Sequence, residues 1–167
     1  MPEYQYIKHT FEPIYNNQSK ILILGSLPSV KSREQGFYYG HPQNRFWKVL
    51  AGILQCEVPT TIEEKKQMLL DNHIAIWDVI DSCEIKGSSD SSIRNVVASD
   101  IASVLEKAPI THIYANGKTA GALYRKWVQP ITQREIIDLP STSPANAAYK
   151  LETLIEHWSV KILPPLR

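Results

Sequence analysis

The sequence predicts an α/β protein, a three-layer αβα sandwich with a central, mainly parallel four-stranded sheet. Short apolar runs alternate along the chain with longer segments whose apolar residues recur at helical spacing. The first run, residues 21–24, is apolar at every position, which is typical of a strand buried on both faces. Strands that alternate with helices favour a parallel sheet covered by helices on both sides.

The individual elements follow from the same periodicity. Strands are expected at residues 21–24, 74–80, 111–115 and 134–139, and helices at residues 44–54, 61–72, 118–128 and 147–158. Thr61 and Glu64 have the spacing of a capping box, and Ser99 is the expected N-cap of a further helix that ends near Leu105. Residues 1–18 are expected to be irregular, and loops are expected at residues 25–43, 81–92, 116–117 and 140–146.

Length and composition predict one domain over residues 1–167. The net charge of +1 does not by itself indicate a nucleic-acid partner. The two cysteines cannot alone form a zinc site or an iron–sulfur cluster, so no metal and no other cofactor is expected. No run is long and apolar enough to cross a bilayer, and the N-terminus is too polar for a signal peptide. The default expectation is a cytoplasmic monomer with no membrane partner.

The four predicted loops should meet at one crevice. They follow the predicted strands, and ligands of open parallel sheets bind outside the carboxyl ends of the strands. The first of them begins Gly25-Ser26-Leu27-Pro28-Ser29. Gly25 permits close approach of another group to the backbone, and the serines offer hydroxyls for an anion or a water molecule. An ordinary tight turn between a strand and a helix explains the same residues.

Residues 37–47 are unusually aromatic for a segment that leads from a loop into a helix. Phe46 and Trp47 lie on the predicted helix and are interpreted as core. Tyr38, Tyr39 and His41 precede the helix, where packing explains them less well. Because aromatic faces stack on nucleic-acid bases, this segment is a candidate for base contact.

Two asparagines lie where an amide could enter the crevice. Asn44 is expected at or near a helix start, either as an N-cap or as an amide directed at a ligand. Asn116 precedes Gly117 in a turn pattern, so it is either a turn residue or a group that reads a base edge. The spacing of the residues leaves both alternatives open.

The last predicted loop, residues 140–146, is rich in hydroxyls, prolines and small residues and precedes a helix. Such a loop could hold phosphates through hydroxyls and the helix N-terminus. Ser141, Ser143 and Asn146 are the candidate contacts. A stiff capped loop without a ligand is the alternative.

The sequence lacks the motifs of several other common chemistries. It contains no Ser-His-Asp order, P-loop, GxGxxG, HExxH or EF-hand pattern. This argues against the usual hydrolase, nucleotide-binding and metal-dependent classes. Schiff-base lyase chemistry is not expected either, because Lys31, Lys48 and Lys118 lie near the loops without a recognisable nucleophile setting.

Taken together, the motifs resemble the uracil-DNA glycosylase superfamily. Its two signature loops match residues 25–29 and 140–144, and residues 40–47, 116–118 and 87–90 are similar to its mismatch-specific uracil and thymine branch. The strongest likeness is to the hypoxanthine-DNA glycosylase family, whose pattern GSxPS, YYGxPxN-x-FW and STSPAN is met nearly in full. The resemblance spans about residues 20–157.

The resemblance implies a monofunctional DNA glycosylase of base excision repair, whose partner is DNA that contains a deaminated base, most of all hypoxanthine. It implies that Asn44 is catalytic, that Tyr39, Gly25, Ser26 and Asn116 stack on or recognise the base, and that His41, Ser141, Ser143 and Asn146 contact DNA. No carboxylate is an obvious base in the sequence. Asn44 is therefore expected to orient the attacking water and to accept a hydrogen bond from it.

One residue departs from the wider superfamily. Many members carry Asn or Asp in the first loop to position water, whereas this sequence has Leu27 there. The hypoxanthine branch also lacks that polar residue. Three alternatives stay open on this evidence. They are a uracil- or mismatch-specific glycosylase, a non-catalytic binder of damaged DNA, and an enzyme that acts on free nucleosides or nucleotides.

Overall fold

The computed structural model describes residues 3–87 and 89–167. The strands are β1 (Tyr4–Lys8), β2 (Ile21–Gly25), β3 (Ile74–Asp78), β4 (Ile80–Lys86), β5 (Arg94–Ala98), β6 (His112–Asn116) and β7 (Ile137–Leu139). The helices are α1 (Val30–Gln35), α2 (Phe46–Leu54), α3 (Ile62–Asp71), α4 (Ile101–Lys107), α5 (Lys118–Trp127), α6 (Gln129–Thr132) and α7 (Leu151–Leu166). None of the helices within these ranges has the length and apolar character that a membrane span requires.

The central sheet has four parallel strands, as the sequence predicts. Their order in the sheet is β3-β2-β6-β7. Every residue of β2 is buried, because this strand is central and helices cover both faces. Ile21 and Ile23 belong to one apolar core and Leu22 and Leu24 to the other, since alternate side chains of a strand point to opposite faces. The three-layer αβα arrangement is confirmed.

Each core contains the apolar face of different helices. Buried residues of α2 and α7, including Phe46 and Trp158, pack on one face of the sheet. Buried residues of α4 and α5, including Ile101 and Tyr124, pack on the other face. The carboxyl ends of all four strands consequently meet at one exposed edge of the sandwich.

A second, antiparallel sheet with the order β1-β4-β5 was not predicted. The expectations of an irregular N-terminus and of a loop at residues 81–92 were wrong where they overlap β1 and β4. The single strand expected at residues 74–80 is also interrupted: β3 ends at Asp78, and β4 starts at Ile80 in the second sheet. In β4 buried residues are interspersed with half-buried charged residues, and this polar composition was misread as a loop.

Several helix boundaries differ from the predicted ones for local reasons. The short helix α1 lies inside the predicted loop 25–43, where the Ser29 side chain accepts a hydrogen bond from the Ser32 amide. Asp100, and not Ser99, caps α4 by accepting from the Ser103 amide. The capping box of Thr61 and Glu64 is confirmed.

The last predicted helix is shifted and the strand before it is shorter. α7 begins at Leu151 instead of residue 147, because the preceding segment is held as a loop by contacts described below, and it continues to Leu166. The expected strand 134–139 is reduced to β7, and α6 occupies part of the chain before it.

Candidate active site

All four predicted loops contribute to one cleft at the carboxyl ends of the parallel strands. The cleft has a volume of about 860 Å³. All nine residues that the sequence analysis proposed as site residues line the cleft: Gly25, Ser26, Tyr39, His41, Asn44, Asn116, Ser141, Ser143 and Asn146. The resembling segment 87–90 reaches it through Gly87, whereas Ser88 lies outside the described residues. The expectation of a single crevice is therefore confirmed.

Tyr39 forms an aromatic wall of the cleft. Its ring stacks on that of Phe46, with centroids 3.9 Å apart and planes inclined by 16°. Its backbone φ of 53° belongs to the left-handed region, which residues other than glycine seldom adopt. Tyr38, in contrast, is buried in the core and donates its hydroxyl hydrogen to the carbonyl of Glu12, so its interpretation as a loop side chain available to a base was wrong.

The Tyr39 hydroxyl is buried, and within residues 3–87 and 89–167 it makes no hydrogen bond of normal geometry. Burial raises its pKa above the ordinary value, and the nearby Asp78 carboxylate raises the pKa further. The Asn116 amide lies close enough to oppose this rise. Tyr39 is therefore a neutral phenol at physiological pH.

Asn44 and Asn116 are joined through the buried side chain of Thr142. The Asn116 amide nitrogen donates to Thr142 Oγ1 over 3.0 Å, and Thr142 Oγ1 donates to Asn44 Oδ1 over 2.8 Å. Asn44 Oδ1 also accepts from the Phe46 amide at 2.9 Å, so Asn44 lies near the start of α2 as expected. It is not the N-cap, because α2 begins at Phe46 and Arg45 occupies the cap position. Both asparagines line the cleft, and the sequence did not single out Thr142 as the residue between them.

Arg45, the residue after Asn44, fixes the loop that follows β7. Its guanidinium donates to four backbone carbonyls in that loop, those of Thr142, Ser143, Asn146 and Tyr149. The Ser143 and Asn146 bonds are 2.8 Å and 3.0 Å long. A planar fork of five N–H donors suits such converging acceptors. These contacts explain why the chain before α7 is a loop and not the first turns of a helix.

Replacing Arg45 by lysine should loosen this loop. A single ammonium group cannot reach four carbonyls in the same fork geometry, and we expect the free energy of unfolding to fall by about 2 kcal/mol or more. Arg125→Lys is the control, since Arg125 forms a partly exposed ion pair with Asp138 whose loss should cost less than about 1 kcal/mol. Denaturant unfolding of both variants measures the difference, and equal losses would contradict the assigned role.

The polar side chains of the loop after β7 stabilise its turns, and their hydroxyl hydrogens can still be donated to a ligand. Ser141 Oγ accepts from the Ser143 amide, and Ser143 Oγ accepts from the Ala145 amide. The hydrogen of each hydroxyl can still be donated, because a serine hydroxyl is both donor and acceptor. Asn146 donates its amide hydrogen to the Ser141 carbonyl over 3.0 Å. The two hydroxyls line the cleft and suit phosphate oxygens.

His41 shapes its own loop. The Gln43 amide donates to His41 Nδ1 at 3.1 Å. Nδ1 is therefore the accepting nitrogen in this contact, and Nε2 is the ring nitrogen that can donate. His41 lines the cleft, where this N–H is a donor suited to DNA.

A buried carboxylate at the cleft was missed from the sequence. Asp78 ends β3, is 3% exposed, and is the one acidic side chain among the described residues that line the cleft. Its Oδ2 lies 2.8 Å from Nε2 of His9, which is also buried and follows β1. An acidic residue that ends an apolar strand of a parallel sheet was the available signal for Asp78. His9 had no such signal, since the second sheet brings it to the site.

The first loop packs directly against this carboxylate. A Cβ on Gly25 would lie 2.5 Å from Asp78 Oδ1 and 3.1 Å from the Tyr39 hydroxyl oxygen, so only glycine fits there. The carbonyls of Gly25 and Ser26 accept from the amides of Val79 and Ile80. Leu27 lines the cleft and presents an apolar side chain.

Comparisons with known proteins agree with this arrangement. The sequence model described as "Uracil DNA glycosylase superfamily" matches residues 12–161. A protein named hypoxanthine DNA glycosylase from Methanosarcina acetivorans is 34% identical over 145 residues, which cover 86% of this chain and 90% of that protein. One of the same name from Methanosarcina barkeri is 32% identical over 116 residues, or 68% of this chain and 73% of that protein.

A solved structure extends the likeness to three dimensions. The solution NMR structure of a protein from Methanosarcina acetivorans, described as a candidate uracil DNA glycosylase, superimposes with a TM-score of 0.82. The two chains are 30% identical, and the match covers 98% of this chain and 100% of the other. From the sequence match and the shared fold, this chain belongs to the uracil DNA glycosylase superfamily.

Proposed function

We propose that this protein excises hypoxanthine from DNA by hydrolysing the bond between the base and deoxyribose, and that it leaves an intact abasic site. Two relatives of the chain carry the name hypoxanthine DNA glycosylase. The structural observation that carries the proposal is the Asp78 carboxylate at the cleft, beside the Tyr39 ring and behind Gly25. It supplies a hydrogen-bond acceptor where the edge of an extruded base would lie.

An acceptor at this position distinguishes hypoxanthine from adenine, the base from which deamination produces it. Deamination of adenine replaces the exocyclic amine by a carbonyl, and the adjacent ring nitrogen changes from an acceptor to an N–H donor. An ionised carboxylate only accepts, so it bonds the N–H of hypoxanthine and opposes the lone pair of adenine. Sites built to bond one such group reject its analogue strongly, because a buried polar group would be left unpaired. Asp78 therefore suits a base, such as hypoxanthine, that has an N–H donor where adenine has a lone pair.

The remaining side chains of the cleft suit an extruded nucleotide. The glycosidic bond is unreachable inside a duplex, so the base must leave the stack. The face of Tyr39 opposite Phe46 offers a stacking surface, and the hydroxyls of Ser141 and Ser143 offer donors to the phosphates. No metal is part of this proposal, and we propose that the protein acts as a monomer.

A substrate panel tests the proposed function. Purified protein, with chelator present, is incubated with duplexes that contain deoxyinosine opposite thymine, uracil opposite guanine, or no modified base. We expect alkali-labile sites mainly in the deoxyinosine duplex, and intact strands before alkali treatment. Preference for uracil would favour the uracil- or mismatch-specific alternative. Binding without base release would favour a damaged-DNA binder, and strand breaks before alkali would indicate lyase chemistry.

Two substitutions of Tyr39 should separate its ring from its hydroxyl. Tyr39→Phe removes a buried hydroxyl that lacks a well-formed hydrogen bond, so activity should stay within about threefold of wild type. Tyr39→Ala removes the stacking surface and should weaken engagement of the extruded base by about 1–3 kcal/mol. Single-turnover rates over a range of enzyme concentrations measure both effects. Equal impairment of the two variants would show that the hydroxyl, and not the ring, is required.

A further inference from the structure

Two backbone amides fix the direction of every hydrogen bond between Asn116 and Asn44. The Thr142 amide donates to Asn116 at 3.0 Å, which identifies the accepting atom as Oδ1 and leaves Nδ2 to face Thr142 Oγ1. The Phe46 amide donates to Asn44 in the same way, which identifies that acceptor as Oδ1. Backbone N–H groups can only donate, so neither side-chain amide can be reversed.

The Thr142 hydroxyl must therefore accept from Asn116 and donate to Asn44. Asn44 Oδ1 then holds two hydrogen bonds, one from Phe46 and one from Thr142, and both lone pairs of the amide oxygen are used. Within residues 3–87 and 89–167 no group accepts from Asn44 Nδ2, and this nitrogen is not among the buried atoms that lack a partner. Asn44 thus presents its NH₂ group, and no free acceptor, to the cleft.

We propose that Asn44 acts in base excision as a hydrogen-bond donor to the departing base, and that Thr142 is the positioning residue that holds the amide in this orientation. The inference rests on the proposed function, because it concerns the same cleft and reaction. It replaces the expectation that Asn44 accepts a hydrogen bond from water, a role that would require Oδ1 to give up one of its two present donors.

The donor role matches the electron flow of the reaction. The bond between the anomeric carbon and the base nitrogen breaks with its electron pair moving to the base, so negative charge grows on the base acceptors. A fixed N–H donor stabilises that charge. Water then adds to the anomeric carbon and releases one proton, the departed base takes up one proton, and the sum is hydrolysis without an oxidant or cofactor.

Asn44→Asp distinguishes a donor to the base from an acceptor for water, because the two roles predict opposite changes of the single-turnover rate with pH. The new carboxyl retains an oxygen for Phe46 and Thr142 but replaces the NH₂ group by an acceptor. We expect a loss of at least about 100-fold in the single-turnover rate on deoxyinosine DNA near neutral pH, similar to that of Asn44→Ala. The rate relative to wild type should recover as the pH falls, because a protonated carboxyl can donate again.

The opposite result would overturn the proposal. If Asn44 instead accepts a hydrogen bond from water, Asn44→Asp should keep or exceed wild-type activity near neutral pH and lose activity as the carboxyl is protonated. If wild type itself does not release hypoxanthine, the proposed function fails; if wild type is active but Asn44→Asp follows the second pattern, the inference alone fails.

Thr142 is tested by a matched pair of substitutions. Thr142→Ser keeps the hydroxyl between the two asparagines and should retain activity within about threefold, whereas the isosteric Thr142→Val removes it and should reduce the single-turnover rate by at least about tenfold. Affinity for DNA with an abasic analogue is measured alongside, because a general folding defect would lower it and loss of amide orientation would not. Equal rates for the serine and valine variants would contradict the positioning role.

Discussion

Asp78→Asn is expected to reduce the rate of hypoxanthine excision by at least about 100-fold while leaving the fold intact. An ionised carboxylate only accepts, so His9 Nε2 donates to Asp78 Oδ2 across 2.8 Å. In the variant the new amide oxygen should take this contact with His9. The NH₂ group would then lie where Oδ1 now faces Gly25 and Tyr39, and an acceptor for the base N–H would become a donor.

The measurement is the single-turnover rate on a deoxyinosine duplex together with the midpoint of thermal unfolding. Asp81→Asn is a matched control, because Asp81 pairs with Lys8 through a partly exposed carboxylate and does not line the cleft. It should excise hypoxanthine at nearly the wild-type rate. A rate for Asp78→Asn within about threefold of wild type would show that the carboxylate does not recognise the base.

Gly25→Ala should impair catalysis more than stability. The added methyl group would lie 2.5 Å from Asp78 Oδ1, closer than carbon and oxygen can pack, and 3.1 Å from the Tyr39 hydroxyl, which is a tight contact. Overpacking of this kind costs about 1–3 kcal/mol of folding free energy. It also displaces both groups that would hold the base, and a displacement of about 1 Å can lower the rate about 100-fold.

Gly36→Ala serves as the comparison for this substitution. Gly36 has a φ of 70°, and nothing lies within 4 Å of an added Cβ, so alanine there strains the backbone without crowding the cleft. The two variants should lose similar stability, whereas only Gly25→Ala should lose most of its activity. Equal activity of the two variants at matched folded fraction would contradict the proposed packing of Gly25 against the site.

The parallel sheet could be predicted because its strands carry a local signal. Residues 21–24 are apolar on both faces, and each strand is followed by a segment of helical periodicity. The second sheet had no such signal. β1 pairs with β4, which lies more than 70 positions further along the chain, with Tyr4 opposite Lys86. Both strands carry charged residues at exposed or half-buried positions. Pairing between distant half-exposed strands depends on the tertiary structure and cannot be read from local composition.

Those site residues that belong to motifs on the predicted loops could be predicted from the sequence. Tyr39, Asn44 and Ser143 stand in motifs that follow predicted strands, and all three line the cleft. The partners that orient such residues were not predictable. In the sequence Arg45 is an ordinary residue near a helix start. Its hydrogen bonds to carbonyls of the loop after β7 form only in the folded structure. His9 reaches Asp78 only through the second sheet, so its role depends on a strand pairing that the sequence analysis did not anticipate.

The most direct test of the central claim is the release of free hypoxanthine, measured by chromatography, from a duplex with a single deoxyinosine. We expect one hypoxanthine for each alkali-labile site, no adenine from the matched normal duplex, and no comparable release from the free nucleoside deoxyinosine. Absence of free hypoxanthine under conditions where the protein binds the duplex would contradict the account. Equal release from the nucleoside would do so as well, because it would assign the cleft to small-molecule hydrolysis.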